Sequence, residues 1–371
     1  MELSRADTSM LGRWWWTVDR WTLGAVGILI GFGYIMVLAS SPSVAERIGD
    51  ARNALIIKQV LFLALAGGVV TAVSLLTPRD VRRLALIGCA VALLLTVATM
   101  VVGVEIKGAR RWIALPGLSI QPSEFLKPCF AVVAAWLIAE GRRARFPGTL
   151  VAGAIYVLIV LLLKAQPDIG MTAVITAVFF AQLYIDGLNL FLVGIGIVTI
   201  CGGAMGAYML FPHVQVRVHD FLHPTGTNTY QVTTALEAFG NGGLFGRGPG
   251  EGRVKDVLPD AHADFVFAVA GEEFGMILCA IILGVFAFIV VRGLLRLLKD
   301  PDLFSVLACT GLLVGFGLQA FVNMASSLEL IPTKGMTLPF VSYGGSSVLA
   351  VALGMGMLLA LTRRRHHGEV P

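Results

Sequence analysis

The residue best placed to move a proton is Asp264. It ends the polar stretch Leu258-Pro-Asp-Ala-His262-Ala-Asp264 and precedes a long apolar run. A carboxylate that loses water on one side has its pKa raised toward the range of a general base. The position also suits a plain helix cap, which is the commoner reason for an acid at such a boundary. Glu272 and Glu273 follow about two helical turns deeper, roughly 12 Å at 1.5 Å per residue. They are expected to pair with a cation inside the protein; a proton relay is the alternative and would point to transport.

Other charged residues stand where apolar runs begin. In Gln121-Pro-Ser-Glu124-Phe-Leu-Lys127, Pro122 suits a first helical turn and Glu124 the positive end of the helix dipole. Glu124 and Lys127, three apart, share a helix face and can pair. Such a pair fixes helix packing, orients the floor of a polar cavity, or does both. Asp168, after Gln166-Pro167, reads equally as a cap and as a cavity residue. Lys107, Arg110 and Arg111 make a basic patch beside Trp112 that needs an anionic partner. The stretch Ile331–Ser347 carries Lys334, Ser342 and Ser346 among glycines. Small residues there allow close helix approach, and hydroxyls with one lysine also suit a polar lipid headgroup.

Two motifs exclude chemistry. The run Gly240–Gly250 lacks the Gly-Lys-Ser/Thr of a nucleotide loop and fits a hinge or a close backbone approach. His213, His219 and His223 include an i,i+4 pair beside Asp220, but no further ligand spacing supports zinc, and no metal is assigned to them.

The elements that must hold these residues are membrane helices. Of 371 residues, 57% are hydrophobic and 14% charged, and the mean hydropathy is +0.83. A soluble domain is nearer ~45–50% apolar and ~25% charged. Runs able to cross roughly 30 Å of hydrocarbon fall at 22–41, 55–76, 84–103, 121–140, 149–164, 168–186, 188–211, 265–292, 303–327 and 338–362. The expected fold is an all-α integral membrane protein of ten spans. It forms a single polytopic domain over 1–371, with an N-terminal segment at 1–21 and a tail at 363–371. Arginine clusters at 79–83, 142–145, 292–299 and 363–365 place both termini in the cytoplasm. The large segment 212–264, between the seventh and eighth spans, then lies outside. It is long enough for short helices but not for an independent domain. The net charge of +5 fits orientation and anionic lipid heads rather than nucleic acid. The five cysteines all sit in apolar runs and read as small hydrophobes.

Seven blocks in order, namely Gly108–Trp112, Gln121–Lys127, Gln166–Gly170, Tyr230–Gln231, Gly242–Gly250, Leu258–Glu273 and Pro332–Ser347, resemble the SEDS family of membrane glycosyltransferases. The form Pro332-Thr-Lys-Gly-Met-Thr-Leu-Pro339 looks more FtsW-like than RodA-like. Departures stand at Ala263, where threonine is commoner, and at Leu328-Glu-Leu330, where the family is more glycine-like. The resemblance implies polymerisation of lipid II into peptidoglycan during division, beside a class B penicillin-binding (FtsI-like) transpeptidase and other divisome membrane proteins in the inner membrane. It makes Asp264 the essential acid, and Glu124, Lys127 and Asp168 polar positions of the site. One inverting displacement suffices, with Lys107, Arg110 and Arg111 toward the leaving pyrophosphate and a divalent cation, Mg2+ or Mn2+, as a candidate helper. The alternatives are a RodA-like elongation polymerase, a lipid II flippase and a non-catalytic scaffold.

Overall fold

The computed structural model describes residues 9–48, 54–106, 109–115, 118–144, 146–187, 208–222, 227–332 and 335–363, with scattered positions between 194 and 206. A short helix α1 (Met10–Thr17), capped by Ser9, precedes α2 (Arg20–Ile48), α3 (Ala54–Ser74) and α4 (Pro78–Val102). Thr77 caps α4, with Pro78 in its first turn, as the local chemistry of helix starts requires. Then come α5 (Pro122–Ala144), α6 (Gly148–Ala165) and α7 (Ile169–Ile185). The large segment folds into α8 (Pro212–Leu222), α9 (Thr227–Gly242) and the single turn α10 (Val254–Val257). The chain ends with α11 (Val266–Leu297), α12 (Leu303–Ser327) and α13 (Gly345–Leu361).

Seven described helices are long and apolar enough to cross a membrane, and α7 and α13 are shorter apolar helices. The chain is therefore a multi-pass membrane protein. The expected seventh span, 188–211, falls mostly outside the described residues. Two expectations are corrected. The chain is not purely helical: β1 (Val104–Ile106), β2 (Ala109–Leu115) and β3 (Leu118–Ile120) form a small antiparallel sheet in the order β1-β2-β3. These strands pair with one another and pack on the end of α4, where a bare loop would leave backbone groups unpaired. The last span also begins later than residue 338. Residues 338–344 are not helical, because Phe340 takes φ +63 and α13 starts only at Gly345.

At the centre stands α5, buried on nearly every face by residues such as Leu126, Phe130, Ala131, Ala134 and Ile138. Its alanines let α4, α7, α12 and α13 approach closely, the usual way helices associate without a hydrophobic driving force between them. One end of the bundle is tied by arginines: Arg142 to Asp186, Arg143 to Asp302, Arg292 and Arg296 to Asp19. Arg363 also donates to Thr17 Oγ1 and the Leu75 carbonyl. These are the clusters that the sequence places on one side of the membrane.

Candidate active site

Asp264 stands at the opposite end of α11 from Arg292. The capping position of α11 is Phe265, without a side-chain cap, so Asp264 is not its cap. Instead, the amides of Ala263 and Asp264 both donate to the Asp260 carbonyl at 3.0 Å and shape a turn. Three successive carbonyls around Asp264 are then held from the other side of the bundle. Tyr343 N donates to the His262 carbonyl at 2.9 Å. Ser342 Oγ donates to the Ala263 carbonyl at 2.6 Å while accepting from Leu338 N at 2.8 Å. Asn323 Nδ2 donates to the Asp264 carbonyl at 2.9 Å and to the Met336 carbonyl at 2.6 Å. The carboxylate itself lies against Gly335, where a methyl group would stand 2.8 Å from Asp264 Oδ2. A side chain at 335 would push the carboxylate from this position.

A second cluster adjoins the first through α12. Lys127 Nζ lies 2.8 Å from Glu124 Oε2, with side chains only 7% and 12% exposed. Lys127 also donates to Gln319 Oε1 at 2.5 Å. The Gln319 amide in turn donates to the Thr337 carbonyl at 3.0 Å, and the Thr337 and Ser347 hydroxyls are 2.6 Å apart. The ion pair expected from the Glu124–Lys127 spacing therefore forms, and it meets the same Gly335–Ser347 stretch that lies over Asp264. Ser346 is buried at the start of α13. Lys334 and Lys107 lie outside the described residues.

Arg111 is engaged elsewhere. It donates to the carbonyls of Gln166 (2.8 Å) and Pro167 (2.7 Å) and lies 3.5 Å from Asp168 Oδ2. Asp168 Oδ1 meanwhile caps α7 by accepting from Met171 N at 3.2 Å. The cap and the ion pair coexist in one carboxylate. Arg110 is exposed and lies 3.5 Å from Glu105. Of the two arginines, Arg110 is therefore the one open to an incoming anion.

Glu272 and Glu273 do meet cations, but these come from the large segment rather than from another span. Lys255 Nζ is 2.6 Å from Glu273 Oε1, and Arg247 is 3.6 Å from Glu272 Oε1. The backbone explains why. Gly275, at φ +82, interrupts α11. Across the break, Arg247 N and Gly248 N donate to the carbonyls of Glu272 and Glu273, and Met276 N and Ile277 N donate to those of Gly243 and Leu244. A methyl group on Gly246 would stand 2.2 Å from the Glu273 carbonyl oxygen. The glycine run makes the close backbone approach expected of it.

Gln319 and Asn323 were not singled out by motif. The available signal was two amides spaced i,i+4 inside an apolar span, a pattern that usually means an interhelical hydrogen bond. Among the described residues, no group of three or more His, Cys, Asp or Glu side chains comes together to hold a metal. The buried acids Glu124 and Glu273 face ammonium groups, which leaves them poor ligands for a resident cation.

The family model described as "Cell cycle protein", covering FtsW, RodA and SpoVE, matches residues 20–367. The chain is 45% identical to the "Probable peptidoglycan glycosyltransferase FtsW" of Caulobacter vibrioides, over 98% of this chain and 93% of that one. It is 36% identical to the protein of the same name from Trichlorobacter lovleyi, over 90% of each. Among solved structures, RodA of Thermus thermophilus matches with TM-score 0.68 at 26% identity, over 94% of this chain and 97% of that one. A chain from "Structural coordination of polymerization and crosslinking by a peptidoglycan synthase complex" matches with TM-score 0.78 at 26% identity, over 93% and 97%. With a match from the second helix almost to the C-terminus and a shared fold, this chain belongs to the FtsW/RodA/SpoVE family, the SEDS family that its motifs resemble.

Proposed function

We propose that the protein is a peptidoglycan glycosyltransferase that polymerises lipid II into glycan strands at the division septum. The observation that carries this reading is the setting of Asp264, whose backbone is pinned on three carbonyls and whose carboxylate faces a residue without a side chain. A hydroxyl of the acceptor sugar is a poor nucleophile until a base takes its proton. Asp264 is that base. The donor sugar is α-linked to a pyrophosphate and the product is β-linked, so a single in-line displacement inverts the centre. The acceptor oxygen bonds to the anomeric carbon, the pyrophosphate leaves with the bonding pair, and the proton goes to Asp264. Arg110 and Lys107 stabilise the leaving pyrophosphate, and Arg111 with Asp168 fixes the floor beside them. A divalent cation, Mg2+ or Mn2+, would arrive with the pyrophosphate.

The arginine-tied end is then cytoplasmic, both termini lie inside, and the Asp264 end faces outward in the bacterial inner membrane. The partners are lipid II, the surrounding lipid, an FtsI-like class B penicillin-binding transpeptidase and further divisome membrane proteins. A likeness to a chain from a peptidoglycan synthase complex supports a transpeptidase partner. A flippase would need Glu272 and Glu273 free to exchange protons, whereas both are tied to Arg247, Lys255 and backbone amides.

The test is polymerisation of lipid II in detergent by the purified protein with its transpeptidase. Asp264→Asn should insert and fold normally yet lose ~10²–10⁴-fold in rate. Near-normal strand synthesis by that variant sinks the reading. Depletion in the native bacterium separates the two polymerase roles: blocked septation supports division, and rounding of a rod-shaped host that keeps dividing supports elongation.

A further inference from the structure

We propose that Asn323 is the positioning residue for Asp264, holding the acid's backbone in register with the Gly335–Leu338 segment; this rests on the reading of Asp264 as the base. Asn323 is fully buried near the end of α12. Its two amide hydrogens go to two segments that are distant in sequence, the Asp264 carbonyl at 2.9 Å and the Met336 carbonyl at 2.6 Å. The amide orientation is fixed by these partners, because a flipped group would set Oδ1 against two carbonyl oxygens.

The arrangement leaves Asn323 Oδ1 buried with no hydrogen-bond partner. Leaving a buried acceptor unpaired weakens a fold rather than strengthening it. A residue kept only to strengthen the bundle gains little from that; the geometry instead favours two simultaneous donations at one point. One turn earlier, Gln319 holds the Thr337 carbonyl at 3.0 Å, so α12 grips the segment over Asp264 at consecutive carbonyls. Ser342 and Tyr343 hold the residues just before Asp264, but Asn323 alone among these donors reaches the Asp264 carbonyl itself. Losing it frees the base to drift relative to Gly335. A misplacement of about 1 Å at a reacting group can cost ~10²-fold in rate.

The experiment compares full-length Asn323→Leu and Asn323→Ser in lipid II polymerisation with the transpeptidase present. Leucine keeps the branched outline of the side chain and donates nothing; serine is smaller and keeps one hydroxyl donor. The expected result for Asn323→Leu is a ~10–100-fold lower kcat with KM within about threefold, and a smaller loss for Asn323→Ser. Combined with Asp264→Glu, whose longer side chain already displaces the carboxylate, the losses should fall short of multiplying. A folded Asn323→Leu with unchanged kcat, or losses that multiply with Asp264→Glu, overturns the proposal and leaves the base assignment standing. If Asn323→Leu fails to fold, Asn323→Ser decides by the same two criteria. Unimpaired polymerisation by Asp264→Asn overturns the base assignment instead, and this proposal with it.

Discussion

Asp19 receives two nitrogens of the Arg292 guanidinium, Nε at Oδ2 and NH2 at Oδ1, both at 2.9 Å. Burial alone would raise the Asp19 carboxyl. Hydrogen bonds from Arg292, Thr22 and Arg296, together with the Arg296 charge, outweigh burial and hold the group well below the usual carboxylate range. An acid depressed in the folded state stabilises the fold fully above its unfolded pKa, near ~3.9, and the contribution drains away as pH falls toward the folded value. Asp19→Asn should therefore lower Tm in detergent at neutral pH, and the gap to the parent should narrow below pH ~4. Parallel Tm curves down to pH 3 would remove Asp19 from the acid response.

Glu124 and Lys127 should behave as one unit. Removing either strands a buried charge, at a cost of about 3–5 kcal/mol. The double swap should recover part of the stability but little activity. The helix dipole prefers the acid first, and Gln319 is aimed at an ammonium at position 127. Thermal unfolding of the two singles and the double decides this: additive losses would mean that the pair does not act as a pair.

The two arginines of β2 should separate. Arg111→Gln loses bonds that seat β2 on the Gln166–Asp168 turn, so the variant should unfold earlier, by about 1–3 kcal/mol. Arg110→Gln should leave Tm unchanged and weaken lipid II use. Arg110→Lys should rescue that only partly, since an ammonium keeps the charge and loses the fork. Unchanged apparent affinity and rate in Arg110→Gln would take this residue out of pyrophosphate binding.

Much of this was legible in the sequence because apolar runs, helix starts and a three-residue acid–base spacing are local signals. Asp168 as a cap and the Glu124–Lys127 pair follow directly from them. The acid at 264 stood out in the sequence as a candidate base at the start of an apolar run, but its surroundings were not legible there. Asn323 and Gln319 act through contacts with residues that are neighbours only after folding, and their i,i+4 spacing puts them on one helix face without naming what that face meets. The sheet at 104–120 was missed because its strands are too short to show alternation. Gly275 was missed because a glycine within a hydrophobic run reads as an ordinary helical residue, and only its φ reveals the break.

That break has a consequence for biogenesis. At Gly275 the carbonyls of Glu272 and Glu273 and the amides of Met276 and Ile277 are satisfied by Gly243–Gly248, residues synthesised before α11. Bare peptide groups at that depth would cost several kcal/mol each in hydrocarbon. The ribosome thus delivers the patch before the gap it fills. On the proposed topology the glycine run crosses to the far side before α11 leaves the translocon, so a delay in exporting 240–250 would stall a helix that is otherwise hydrophobic enough to insert on its own.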